Sequence, residues 1–249
     1  MKAKKFTLSL LLSIALGVSS FLQTGYAIPK SSETADISSN NTIFLPKENY
    51  EFSDLSNLKI ETERLIITPT NENDLDKLAE YLQNPQVTQY LDPTITEGFK
   101  TKAQALDFLK SEGSGEYNSA LEYTIKLKSS GTPIGKLDLM LFPDSSGKNS
   151  ILSIGYWLGK DFQGKGYMGE ACFELCNKAI DASDVKLFYI ACDTRNEKSS
   201  KLAERIFDYI EKNNTAEFYR SKSQHRECCN FGDKEISFDN YSFILQKIK

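Results

Sequence analysis

Residues 161–171, DFQGKGYMGEA, hold the densest chemistry in the chain. Their glycines, amide and lysine suit anion binding at the start of a helix, where backbone N–H groups point outward unpaired. Three patterns overlap here. Gly164, Gly166 and Gly169 spell the G-x-G-x-x-G of dinucleotide folds. Gly159, Gly164 and Lys165 begin a triphosphate loop, G-x-x-x-x-G-K-[ST]. Gln163, Gly166 and Met168 nearly complete Q/R-x-x-G-x-G/A, a third pyrophosphate-cradling pattern.

Each pattern makes further demands. The triphosphate loop needs Ser or Thr after its lysine to hold Mg²⁺, and that position is Gly166. The dinucleotide fingerprint needs its first glycine at the tip of a strand opening a parallel unit, with an acidic residue about 20 positions on. Here the preceding strand ends near Leu158, and Asp193 arrives late. The third pattern departs only at Met168, where it calls for Gly or Ala.

The elements around the motif follow from periodicity. "LKIETERLIITP" predicts a strand, "NENDLDKLAEYLQ" a helix and "TKAQALDFLK" another. "ALEYTIKLK", "IGKLDLMLF" and "ILSIGYWL" alternate and are divided by turn residues, predicting an antiparallel meander. After the motif, Met168, Ala171, Cys172, Leu175, Cys176 and Ala179 share one helical face. "VKLFYIAC" then predicts a buried strand, parallel to the one before the helix. "NEKSSKLAERIFDYIEK" predicts a helix and "ISFDNYSFILQKI" a closing strand. The expected fold class is α/β (α+β): a mixed, mainly antiparallel sheet flanked by helices.

Taken together, these segments resemble the GNAT N-acetyltransferase superfamily, in its branch of ribosomal-protein N-terminal, polyamine and aminoglycoside acetyltransferases. "IETERLIITP" is similar to that branch's first strand, "GTPIGKLDLML" to its second or third, and "IGYWLGKDFQGKGYMGEA" to its strand, phosphate loop and helix. "DTRNEKSSKLAERIF" resembles its N-x-x-S segment and "DNYSFIL" its closing strand, so coverage runs from Leu58 to Leu245. The resemblance implies an acetyl-CoA-dependent transfer to an amine. Cofactor-binding residues would be Trp157, Leu158, Gln163, Gly164, Lys165, Gly166, Tyr167, Met168, Asn196 and Ser199, with Ser199 also near the reacting sulfur as the catalytic candidate. The strand would splay from its neighbour at Trp157 and Leu158 to admit the pantetheine arm. No metal is implied. Asn196 also suits a plain helix N-cap.

Departures from the family concern chemistry. Ser153 stands where many relatives carry Glu, so no general base is assigned. Glu122 and Asp138 fall on neighbouring strands, with solvent the ordinary fate of such carboxylates. Met168 replaces a small residue and crowds the helix start; Phe207-Asp208 replaces a common Gly-Phe, so that helix runs on toward Tyr209 and Ile210. A non-catalytic binding module of the same fold is the alternative reading. The acceptor, an amine-bearing small molecule or a protein, would be chosen by loops at 85–100 and 213–235.

Composition narrows the partners. A net charge of −4 gives no basic surplus for nucleic acid. Five cysteines without C-x-x-C spacing and a single histidine, His225, leave little for a zinc site or a histidine triad. Cys172 and Cys176 are expected in the core; Cys228-Cys229 are expected in a loop, where one could form a disulfide. At the N-terminus, three lysines precede an apolar run from Phe6 to Leu22, and Gly25-Tyr26-Ala27 offers a cleavage site. Residues 1–27 thus read as a secretory signal peptide, 28–57 as a polar, disordered linker and 58–249 as the catalytic-type domain. The protein is expected to be exported, periplasmic or secreted, with delivery to a host compartment as one destination. A membrane tether arises only if the N-terminal segment stays uncleaved.

Overall fold

The computed structural model describes residues 57–91, 95–112, 120–143, 149–182, 185–231 and 234–248. The expected signal peptide, and the linker up to residue 56, lie outside them.

The first expected strand is two strands, β1 (Ile60–Glu61) and β2 (Leu65–Pro69), folded on each other through a turn at residues 62–64. Helix α1 (Glu72–Leu82) starts at a capping box, in which Asn71 accepts from the amide of Asn73 and Asp74 answers the Asn71 amide. A short helix, α2 (Pro85–Thr88), begins at Asn84 with proline in its first turn. Helix α3 (Lys102–Glu112) follows. Then come the meander strands β3 (Ala120–Leu127), β4 (Pro133–Pro143) and β5 (Asn149–Leu158). Helix α4 (Tyr167–Ala182), strand β6 (Leu187–Asp193), helix α5 (Glu197–Asn213), strand β7 (Phe218–Phe231) and strand β8 (Lys234–Lys247) complete the order.

The sheet runs β1-β2-β3-β4-β5-β6-β8-β7. The β5–β6 pair is parallel and every other neighbour is antiparallel. Strand alternation gives it two faces. Leu65, Ile67, Tyr123, Ile125, Leu137, Ile154, Phe188 and Phe243 pack on one face against Met168, Ala171, Cys172, Leu175, Ile206 and Phe207 of α4 and α5. Full burial of each large side chain contributes about 1.5–3 kcal/mol. On the other face, Leu78, Ala79 and Leu82 of α1 and Phe108 and Leu109 of α3 enclose Trp157. Cys172, Cys176 and Cys192 are buried free thiols. Among the described residues no helix is long and apolar enough to cross a membrane.

Residues 213–235 are not a loop throughout: from Phe218 to Phe231 they form a strand paired with β8. Its inner half is the edge of the sheet, with Phe218 packed against the core, and its outer half, from Arg226 on, extends beyond β6, whose pairing with β8 stops at Asp193–Asn240. Cys228 and Cys229 therefore lie on a strand, and their side chains are outside the described residues.

Candidate active site

Strands β5 and β6 pair only at Ile151–Leu187, Leu152–Phe188 and Ser153–Tyr189. Beyond Ser153, β5 continues to Leu158 along β4 alone. The sheet thus opens into a V whose arms are residues 154–158 and 190–193. The glycine-rich loop and the first turns of α4 and α5 stand at its mouth.

A cleft of about 1000 Å³ occupies this mouth. Trp157, Leu158, Gln163, Gly164, Gly166, Tyr167, Met168, Asn196 and Ser199 all line it. Lys165 does not: its ammonium lies 5.9 Å from the Phe162 ring centre. Residues 86–87 and 89–91, in and just after α2, close the opposite wall.

The loop conformation depends on two glycines. Gly164 and Gly166 have φ of 77° and 83°, a region that side chains with a Cβ rarely adopt. Helix α4 starts immediately afterwards, so its first-turn amides face outward without intrahelical acceptors. The Gln163 side-chain amide turns back and donates to Leu158 O at 3.1 Å, bracing the loop on the end of β5. Met168 enters the core between α4 and the sheet as well as touching the cleft, so its bulk is absorbed there.

Arg64, to which sequence reasoning assigned no role, ties the loop from the β1–β2 turn. Its Nε donates to Glu170 Oε2 at 2.7 Å and its NH1 to Lys165 O at 3.0 Å. The guanidinium also lies 4.6 Å from the Tyr167 ring centre. Thr62 and the Arg64 amide donate to the other Glu170 oxygen. Burial alone would raise the Glu170 carboxyl; hydrogen bonds from Thr62 and Arg64 outweigh it and hold the group below the usual carboxylate range.

On the α5 side, Asn196 Oδ1 accepts from the Ser199 amide at 3.2 Å, so Asn196 is the N-cap while also lining the cleft. The Ser199 hydroxyl lies 3.1 Å from that of Tyr156. Tyr156 is on the strand arm, and burial pushes its phenol far above the usual tyrosine range. It lies within the quoted "IGYW", but only the fold brings it to Ser199. Burial likewise pushes the nearby Cys192 thiol up to about 11. Asp193 at the end of β6 holds Arg195 through contacts of 2.9 and 2.6 Å, and Arg195 reaches toward the Tyr90 ring across the mouth.

Glu122 and Asp138 do not point into bulk solvent, as expected of strand carboxylates. Their side chains are 16% and 14% accessible, and both approach the buried Lys136 ammonium, at 3.0 and 3.5 Å. Ser153 is buried at the apex of the V, and its hydroxyl has no hydrogen-bond partner among the described residues. Among the described residues, no group of three or more His, Cys, Asp or Glu is placed to hold a metal ion.

Comparison with known proteins gives one family. The description "Acetyltransferase (GNAT) domain" matches residues 64–206. The uncharacterized N-acetyltransferase p20 of Bacillus licheniformis is 27% identical over 142 residues, covering 57% of this chain and 76% of that protein. A GNAT-family acetyltransferase from Bacillus anthracis superposes with a TM-score of 0.55 at 19% identity, over 77% of this chain and all of the other. The ribosomal L7/L12 α-N-protein acetyltransferase RimL, solved with coenzyme A, gives 0.54 at 19% identity, over 75% and 97%. The microcin C7 self-immunity acetyltransferase MccE, solved with acetyl-CoA and AMP, gives 0.53 at 21%, over 73% and 92%. At these identities the solved structures speak to the fold.

Proposed function

The chain belongs to the GNAT acetyltransferase family, and on that premise we propose that it transfers the acetyl group of acetyl-CoA directly to an amine carried by a small molecule or a protein. The observation that carries this is the meeting, in one cleft, of a splayed strand pair with a loop of two positive-φ glycines opening a helix. The amides at the start of α4 suit the pyrophosphate, and helix polarity favours negative charge there. Lys160, Arg195, Lys198, Lys201 and Arg205 also line the cleft, against the carboxylates Glu197, Glu204 and Asp208. The open arm of β5 offers backbone groups to the pantetheine amides.

In the transfer, a neutral amine attacks the thioester carbonyl. Backbone N–H near Leu158 would hold the developing oxyanion. The Tyr156 hydroxyl, positioned by Ser199, donates its proton to the departing thiolate; its burial keeps it protonated until then. The expected N-terminal signal supports export as the setting for this activity.

Calorimetry of acetyl-CoA binding to the full chain tests the proposal, with Gly166→Asp as the control. A side chain at φ 83° strains the loop, and a carboxylate there repels the pyrophosphate. Binding lost in the variant supports the cofactor assignment. No binding by the folded parent would instead favour a non-catalytic module.

A further inference from the structure

We propose that Asp138 receives the acceptor amine, at a site above Gly155 on the sheet face that α1 partly covers. The inference rests on the acetyl-transfer reading and names the acceptor chemistry of that same site. Strand register supplies the geometry. Ser153, Gly155 and Trp157 point to one face of β5, and Asp138 on β4 stands directly opposite Gly155. Gly155 is the second residue beyond the last β5–β6 pair, so it sits where the V begins to open. A Cβ added at Gly155 would meet, within 4 Å among the described residues, only Asp138 Cβ at 3.8 Å and Asp138 Oδ2 at 3.9 Å. The carboxylate therefore borders a Cβ-sized space at Gly155, next to Tyr156 and Trp157 of the cleft wall but not itself in that wall.

The surroundings suit an alkylammonium. The Lys136 ammonium pairs with both Glu122 and Asp138, so the three groups together keep one net negative charge beside the space. Ser153, on the same face and at the apex, carries a buried hydroxyl without a partner among the described residues, ready to hold the amine or its water.

The step balances as follows. The acceptor enters as R–NH₃⁺ and gives one proton to the Asp138 carboxylate. The nitrogen lone pair forms the C–N bond, and the C–S bond breaks with its electrons on sulfur. Tyr156 gives its proton to the thiolate, and the second nitrogen proton passes to the Tyr156 oxygen and restores it. Asp138 then returns its proton to solvent, leaving the amide, the free thiol and one released proton.

The test uses the full chain with two acceptors, spermidine and a lysine-free peptide with a free amino terminus. Thiol release is followed, and acetyl-CoA affinity is measured in parallel. Asp138→Asn should lower kcat/KM for the amine about 100-fold while acetyl-CoA affinity stays within about two-fold. Gly155→Ala fits without a clash, so it should keep its melting temperature and acetyl-CoA affinity yet raise the amine KM at least ~10-fold. Unchanged kcat/KM in either variant overturns the proposal, as does a parent that binds acetyl-CoA but consumes neither amine. A parent that fails to bind acetyl-CoA overturns the acetyl-transfer reading beneath it. If Asp138→Asn does not fold, Gly155→Ala still decides.

Discussion

Replacing Arg64 with alanine should loosen the phosphate loop and weaken acetyl-CoA binding without removing any group that lines the cleft. Three attachments are lost: the pair with Glu170 at 2.7 Å, the bond to Lys165 O at 3.0 Å, and the stacking on Tyr167. A hydrogen bond to a charged group contributes about 1.5–3 kcal/mol, but exposed pairs yield only ~0.2–1 kcal/mol. The Arg64 side chain is 43% accessible and that of Glu170 18%, so the loss falls between, at about 1–2 kcal/mol. For a domain of this size that lowers the melting temperature by about 2–8 °C. Glu170 keeps its bonds from Thr62 and the residue-64 amide, which limits the damage. The effect on binding is separate. If one residue of the freed loop must be re-ordered by the ligand, affinity falls about 5- to 30-fold, at ~1–2 kcal/mol per ordered residue. pH offers a second reading. Because the Glu170 carboxyl is held below its ordinary range when folded, its stabilisation is full above that range and fades as pH falls through the folded value. The variant should therefore lose less stability on acidification than the parent. Calorimetric titration with acetyl-CoA and thermal melts from neutral to acidic pH measure both. A lower melting temperature with unchanged affinity would refute the reasoning: Gln163 and the two glycines would then hold the loop unaided.

Two further outcomes follow from close contacts. Tyr156→Phe removes the hydroxyl beside Ser199 and should lower kcat about 10- to 100-fold while leaving acetyl-CoA affinity unchanged, as steady-state kinetics and calorimetry will report. Gly135→Ala places a Cβ 2.3 Å from Trp157 O, backbone that cannot yield, and should destabilise the domain by about 2–3 kcal/mol in denaturant titration.

The order of elements was legible because each carries its own period. The apolar face of α4 and the buried run of β6 stand out in the sequence, and the parallel pairing of β6 with β5 follows from the helix between them. The cleft was legible for a related reason: Gln163, Gly164, Gly166, Asn196 and Ser199 fall in two short segments at the starts of consecutive helices, which the V brings together. Residues acting across long separations were not legible. Arg64 meets Glu170 and Lys165 only after β2 and α4 pack on one sheet face, and nothing in "ETERL" distinguishes its arginine from a solvated one.

Strand β7 was missed for the opposite reason. "RSKSQHREC" has no apolar alternation because its first half is an edge strand beside β8 and its second half runs beyond β6, so its structure lies in backbone pairing with β8, which side-chain patterns do not record. The Lys136 cluster shows how far alternation can be trusted. In "IGKLDLM" it correctly puts Lys136 and Asp138 on one face and Leu137 and Leu139 on the other. Period two says which residues share a face, not whether that face meets water. The cover comes from α1, more than 50 positions earlier, and it turns an ordinary outward lysine into a buried ammonium between two carboxylates. A polar strand face under a helix is expensive unless its charges are paired. Here Glu122 and Asp138 pair with the Lys136 ammonium and offset that cost, which is why the strand can carry a lysine under the helix.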